Sequence, residues 1–220
     1  MKMNIHSYIN NDVLPLLLNY PVKMVKEMFS NLTYTHIPVV EDNFLMGNIS
    51  EDDVQGYDQE KKISDYQFSL DVFFVKKSTN WLDVLEAFAQ NNTNIIPVLD
   101  ENNQYMGYYD LIDIVGLFKE TPFINEPGGI LIIEKGSQDY SFSEVSQIVE
   151  SNDGKLLGAF ISEMKADVTQ ITLKIGNARL SDIIQTFRRY SYNIISGNEE
   201  DRYMKDLKER SDYLKKFLNI

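Results

Sequence analysis

Apolar residues along this chain fall into short blocks that switch between helical and extended spacing. Val22, Val25, Met28 and Phe29 stand at i, i+3, i+6 and i+7, one face of a helix, and Trp81, Val84, Ala87 and Phe88 repeat that spacing. A compact apolar run follows each helix, Ile37-Pro38-Val39-Val40 and Ile96-Pro97-Val98-Leu99, and a short strand candidate precedes it, 14–18 and 73–77. The acidic stretches Glu41-Asp42-Asn43 and Asp100-Glu101-Asn102-Asn103 have the polarity of hairpin turns.

These blocks are two copies of one unit. Tyr34-Thr35-His36-Ile37-Pro38-Val39-Val40 returns 59 positions later as Thr93-Asn94-Ile95-Ile96-Pro97-Val98-Leu99, and the same offset carries the first helix onto the second. One extra residue in the second turn changes the offset to 60, so that Met46-Gly47 meets Met106-Gly107. Each copy therefore predicts strand, helix, strand, hairpin, strand, helix.

Further along, the order changes. A strand over 129–135 is followed by a helix over 141–152, with Phe142, Val145, Ile148 and Val149 on one face, and by a long strand over 154–164. Next come a strand over 168–175 that turns Ile171, Leu173 and Ile175 inward, a helix over 180–190 and a strand near 192–196. The sequence βαββαβ is the ferredoxin-like order. Beyond it, Met204, Leu207, Ser211, Leu214 and Leu218 recur at steps of three and four and predict a terminal amphipathic helix, whose stripe would dock on its own chain or on a partner subunit.

Composition narrows the function classes. A chain of 220 residues with 43% apolar and 25% charged residues has the make-up of a globular protein of one large or two small domains. The absence of cysteine removes disulfides, thiolate metal sites and cysteine nucleophiles, and fits a reducing compartment. A net charge of −12 repels a polyphosphate backbone, so nucleic acid is not an expected partner. The charge is uneven: residues 1–120 carry 18 acids against 8 lysines and no arginine, and all five arginines lie beyond them. The apolar stretch at 13–18 is interrupted by Pro15 and is too short for a signal segment or a membrane span. A soluble cytoplasmic protein is expected, with no membrane contact.

The repeat carries a resemblance. Ile-Pro-Val or its equivalent, then an acidic turn, then Gly47-Asn48-Ile49-Ser50-Glu51-Asp52-Asp53 in one copy and Gly107-Tyr108-Tyr109-Asp110-Leu111-Ile112-Asp113 in the other, resembles the CBS domain, which occurs as tandem pairs forming a Bateman module. The βαββαβ segment, with Ser141-Phe142-Ser143-Glu144-Val145 opening its first helix, is similar to an ACT domain, a small-molecule-sensing and dimerising module. It departs from that family in the turn Gly136-Ser137-Gln138-Asp139-Tyr140, which lacks the glycine ACT domains often place before this helix, and this argues against amino-acid binding there. The order of domains resembles the acetoin-utilisation B-type proteins. The expected fold class is α/β (α+β): CBS domains at 1–60 and 61–124, a ferredoxin-like ACT-like domain at 127–198, and a terminal helix at 199–220.

Residues suited to catalysis are few. There are two histidines, His6 and His36, and no glycine-rich phosphate loop, Gly-x-Ser-x-Gly or His-Glu-x-x-His motif, so no catalytic residue and no metal site is predicted. His36 reads as a tolerated residue at a strand edge. The resemblance implies a different site: Ser50 near a nucleotide phosphate, Asp53 accepting from the two ribose hydroxyls, and adenine against Ile37 and Pro38 or Ile96 and Pro97. A helix start that offers free amides would favour the anion. In the second copy Asp113 takes the ribose position, Asp110 replaces the usual serine or threonine, and Thr79 matches the position where CBS domains often have a threonine or serine at the end of the first strand, from which its counterpart Tyr20 departs. Ser50-x-x-Asp53 also reads as a plain helix N-cap.

The cations near these motifs are Lys23, Lys26, Lys76 and Lys77, amid many acids. That balance favours adenosine, AMP or S-adenosylmethionine over free ATP, with a magnesium-bridged nucleotide as the alternative. The expectation is a non-enzymatic regulator, a homodimer that requires no cofactor, in which the CBS pair senses an adenosyl ligand and the ACT-like domain dimerises or relays occupancy to a separate, unidentified effector protein. The alternative is a ligand-free dimerisation scaffold that binds another protein, its clefts filled by side chains such as Tyr108 and Tyr109.

Overall fold

The computed structural model describes residues 5–176 and 179–197. The terminal helix expected at 199–220 lies outside the described residues. The chain forms two compact units, Met1–Phe118 and Lys119–Ile220.

The first unit holds the repeat. Its first copy contains α1 (Val22–Asn31), β1 (His36–Glu41), β2 (Phe44–Ser50) and α2 (Glu51–Gly56). The second contains β3 (Val75–Lys76), α3 (Trp81–Gln90), β4 (Ile95–Leu99), β5 (Tyr105–Asp110) and α4 (Leu111–Lys119). The helical stripes are buried as their spacing requires: Val22, Val25 and Phe29 on α1, Val84 and Phe88 on α3. Each copy keeps its own core. Leu16, Val25, Phe29, Ile37, Val39, Ile49 and Val54 pack in the first, and Val75, Val84, Phe88, Ile96, Val98, Tyr109 and Ile114 in the second.

The first strand of each copy is shorter than its apolar run suggests. At 14–18 a single residue, Leu16, pairs in parallel with Val39, because Pro15 has no N–H and Leu14 points to solvent at 74% exposure. In the second copy two residues, Val75 and Lys76, pair in parallel with Val98 and Leu99.

Both hairpins are antiparallel and share an irregularity. The register slips between Val39 and Val40 in one and between Val98 and Leu99 in the other, which leaves Met46 and Met106 as the extra residues of β-bulges. The glycine after each has a positive φ, 150° at Gly47 and 139° at Gly107. Both are also crowded: a Cβ would lie 2.7 Å from Leu70 Cβ at Gly47 and 2.4 Å from the Asn10 carbonyl at Gly107. The repeated Met-Gly is thus a bulge followed by the one residue type that admits a linker alongside the strand.

The second unit is the ferredoxin-like βαββαβ. It comprises a short α5 (Pro122–Asn125), then β6 (Gly129–Gly136), α6 (Phe142–Glu150), β7 (Lys155–Met164), β8 (Val168–Gly176), α7 (Leu180–Arg189) and β9 (Asn193–Gly197). The sheet order is β7-β8-β6-β9 and every neighbouring pair is antiparallel. Leu131, Ile133, Ile171, Leu173 and Ile175 form the sheet side of its core, against Val145, Ile148 and Val149 of α6 and Ile183, Ile184 and Phe187 of α7. Ser141 caps α6, accepting from the Glu144 N–H, and the Glu144 carboxylate takes an ion pair of 2.6 Å from Lys135. Among the described residues no helix is long and apolar enough to cross a membrane.

Candidate functional site

The candidate residues occupy the ends of the two hairpins. Ser50 closes β2 and caps α2, its hydroxyl accepting from the Asp53 N–H at 3.0 Å. The Asp53 side chain is exposed, and its carboxylate makes no hydrogen bond or ion pair among the described residues. Glu51, Asp52 and Asp53 all stand in the first turn of α2, a helix of six residues. The three acids of that turn oppose an anion at the helix start.

The second copy is arranged differently. Asp110 accepts from the Ile112 N–H at 2.7 Å, so it serves the start of α4. Asp113 is half-buried and accepts from Asn10 Nδ2 at 2.9 Å. Tyr108 is wholly buried, donates to Asp12 and lies 3.3 Å from the Tyr34 hydroxyl. Burial, and next the Asp12 carboxylate, push the Tyr108 phenol far above its usual range, while the same bond holds Asp12 below the usual carboxylate range.

Linkers decide this difference. Asn10 pairs with Tyr108 through both backbone groups, its N–H on the Tyr108 carbonyl at 2.8 Å and its carbonyl on the Tyr108 N–H at 3.0 Å. Asp71 pairs in the same way with Asn48, at 2.9 and 2.7 Å. Asn48 is wholly buried and spends its amide on the carbonyls of Asp71 and Phe73.

His36 is not a tolerated edge residue. It is 8% exposed, lies edge-on to Phe73 with ring centroids 5.2 Å apart, and places Nε2 3.4 Å from Asp71. Burial lowers its affinity for a proton below the ordinary 6.5, and outweighs the opposing pull of Asp71, a half-exposed carboxylate at the edge of contact distance. The Thr35 hydroxyl is 2.9 Å from His36 Nδ1, but it also lies 3.2 Å from Thr93 Oγ1 and from Asn94 Oδ1. It belongs to the junction between the copies.

The remaining sequence candidates are placed as follows. The side chains of Ile37 and Ile96 are wholly buried in the two cores, and Pro38 and Pro97 are buried beside them. Thr79 accepts from the Lys76 N–H at 3.1 Å and closes a turn. Lys26 donates to the carbonyls of Gln55 and Tyr57, and Lys76 to that of Asp100, so both are engaged by backbone. A cavity of about 390 Å³ lies elsewhere in the unit, lined by Leu85, Phe88, Leu111, Thr93, Asn94 and Thr35 among others, with none of the candidates on its wall. Among the described residues no group of three or more His, Asp or Glu is placed to hold a metal ion. Sequence reasoning missed Asn10, Asp12 and Asp71, which lie in linkers and carry no motif, and the part played by Tyr34, which opens the repeated segment.

The sequence profile of the CBS domain matches residues 5–60 and 63–120. An uncharacterized protein of Methanocaldococcus jannaschii is 24% identical over 116 residues, 52% of this chain and 44% of the relative, so the chain spans less than half of that protein's length. Among solved structures, a CBS domain pair/ACT domain protein from Thermotoga maritima is similar with a TM-score of 0.49 and 19% identity, covering 54% of this chain and 98% of that one. The cytosolic domain of the magnesium channel MgtE, solved in complex with ATP, is similar with a TM-score of 0.43 and 19% identity, covering 50% and 46%. The two profile matches fall one on each copy of the repeat and together span more than half of the 220 residues: the chain belongs to the CBS-domain family.

Proposed function

We propose that this is a non-enzymatic regulatory protein whose CBS pair senses an adenosyl ligand. CBS-domain proteins are in general regulatory, and their pairs often bind such ligands. The observation that carries the reading is the Asp53 carboxylate, exposed beside the Ser50 cap and with no hydrogen bond or ion pair among the described residues. A carboxylate accepts only, and its two oxygens suit the two donors of a ribose diol. Backbone at Ile37-Pro38 and Ile96-Pro97 would meet the base, since the isoleucine side chains are taken by the cores.

Charge selects within the class. Glu51, Asp52, Asp53 and Asp71 surround the first-copy site, and Lys26 and Lys76 are engaged elsewhere. Adenosine, AMP or the sulfonium S-adenosylmethionine is favoured over free ATP, and a triphosphate would enter with magnesium. The four-part division at 1–60, 61–124, 127–198 and 199–220 gives the ACT-like domain the task of dimerising and relaying occupancy to a separate protein, the organisation that resembles the acetoin-utilisation B-type proteins. Calorimetric titration of adenosine and AMP into the chain and into Asp53→Ala tests the reading: binding lost in the variant supports it.

A second reading is a scaffold that binds another protein and no ligand. The bonds that occupy Asp113 and Tyr108 favour it. Absence of binding by any adenosyl compound, with a stable dimer, would select it.

A further inference from the structure

Asn10 and Asp71 hold the same place in the two copies, each paired through its backbone to the residue after the crowded glycine. Their side chains differ by an amide nitrogen in place of a carboxylate oxygen. Asn10 donates to the Asp113 carboxylate at 2.9 Å. Asp71 cannot donate to Asp53, and its carboxylate lies instead 3.4 Å from His36. The shared backbone pairing gives Asp71 the same place relative to Asp53 in the first copy that Asn10 holds relative to Asp113 in the second.

We propose that this linker position gates the aspartate next to it, closing the second site and leaving the first open, so that each chain takes one adenosyl ligand and takes it at Asp53. The inference rests on the reading of Asp53 as the diol-binding carboxylate. A diol arriving at Asp113 competes with the Asn10 amide for Oδ2, and losing that bond leaves a half-buried donor without its partner; Tyr108, bound to Asp12 and beside Tyr34, stands where the first copy has Asn48. At Asp53 no bond among the described residues has to be displaced.

Adenosine titrated calorimetrically into the full, ligand-stripped chain tests the gate. One adenosine per chain is expected, lost in Asp53→Ala and kept in Asp113→Ala. Asp71→Asn supplies an amide that reaches Asp53, and weakens adenosine at least tenfold, more than Asp71→Ala does, which supplies no donor. Asn10→Asp, the first-copy residue, raises the stoichiometry to two. Two adenosines per wild-type chain, loss of binding in Asp113→Ala, or an Asp71→Asn variant that binds like wild type would overturn the gate while leaving an adenosyl sensor. If wild type gives no heat with adenosine, AMP, S-adenosylmethionine or ATP with magnesium, the adenosyl reading fails, and the lock is decided by urea unfolding of Asn10→Ala, Asp113→Ala and the double variant. Midpoint losses that do not add keep the Asn10–Asp113 lock, and additive losses overturn it.

Discussion

Thr35 and Asn94, equivalent residues 59 positions apart, hold one another: the Thr35 N–H donates to Asn94 Oδ1 at 2.9 Å, and the Asn94 N–H lies 3.3 Å from Thr35 Oγ1. Contact between equivalent positions puts this pair at the local axis that relates the two copies. Asn94 Nδ2 adds a bond to the Thr33 carbonyl at 2.7 Å.

Asn94→Ala removes the side-chain partner of the Thr35 N–H and the donor to Thr33. Leaving a half-buried amide unsatisfied costs about 1–3 kcal/mol. Urea unfolding should show that loss, whereas Asn102→Ala, at an exposed turn position, should change stability by less than about 0.5 kcal/mol.

Capping and ligand binding are carried by different atoms at the first-copy site. The Ser50 hydroxyl makes the cap, so Ser50→Ala should cost about 1 kcal/mol in thermal or urea unfolding. The Asp53 side chain is exposed and bonds to no protein group described, so Asp53→Ala should leave stability within about 0.5 kcal/mol. A large stability loss in Asp53→Ala would make this carboxylate structural.

Gly107→Ala places a methyl 2.4 Å from the Asn10 carbonyl on a backbone with φ of 139°. Strain in φ alone amounts to about 1–3 kcal/mol, and the linker must also move. Thermal unfolding should show a loss of at least about 2 kcal/mol, larger than for Gly116→Ala, where a Cβ meets nothing within 4 Å.

His36 predicts a pH dependence with a definite sign. Its folded-state proton affinity lies below the unfolded value of 6.5, so above pH 6.5 both states are neutral and its contribution is fully present. As the pH falls below 6.5 the unfolded chain takes up the proton first, and the contribution is lost until the folded pKa is passed. Urea midpoints between pH 7.5 and 5 should fall less steeply in His36→Phe, which keeps a ring against Phe73, than in wild type.

The repeat, the helix faces and the hairpins were legible in the sequence because they rest on local periodicity and turn polarity. The βαββαβ order was legible for the same reason, and sheet order β7-β8-β6-β9 follows from the topology. What the linkers do was not legible. An offset of 59 equates Asn10 with Ser69, but Asn10 lies six positions before Leu16 and Asp71 only four before Val75, so the paired positions are Asn10 and Asp71. Pairing of this kind is non-local and leaves no periodic trace. His36 was misread for a related reason: its burial comes from Phe73 and Asp71 in the linker to the second copy, far along the chain.

The measurement that bears most directly on the account is thermal unfolding of the ligand-stripped chain and of Asp53→Ala with adenosine, AMP, S-adenosylmethionine, and ATP with and without magnesium. A ligand at 100 times its Kd contributes about 2.7 kcal/mol, and a chain of this size responds by roughly 2–4 °C per kcal/mol. The account predicts a rise of several degrees with an adenosyl compound in wild type and none in Asp53→Ala. No rise with any of them, or an equal rise in both proteins, would contradict it.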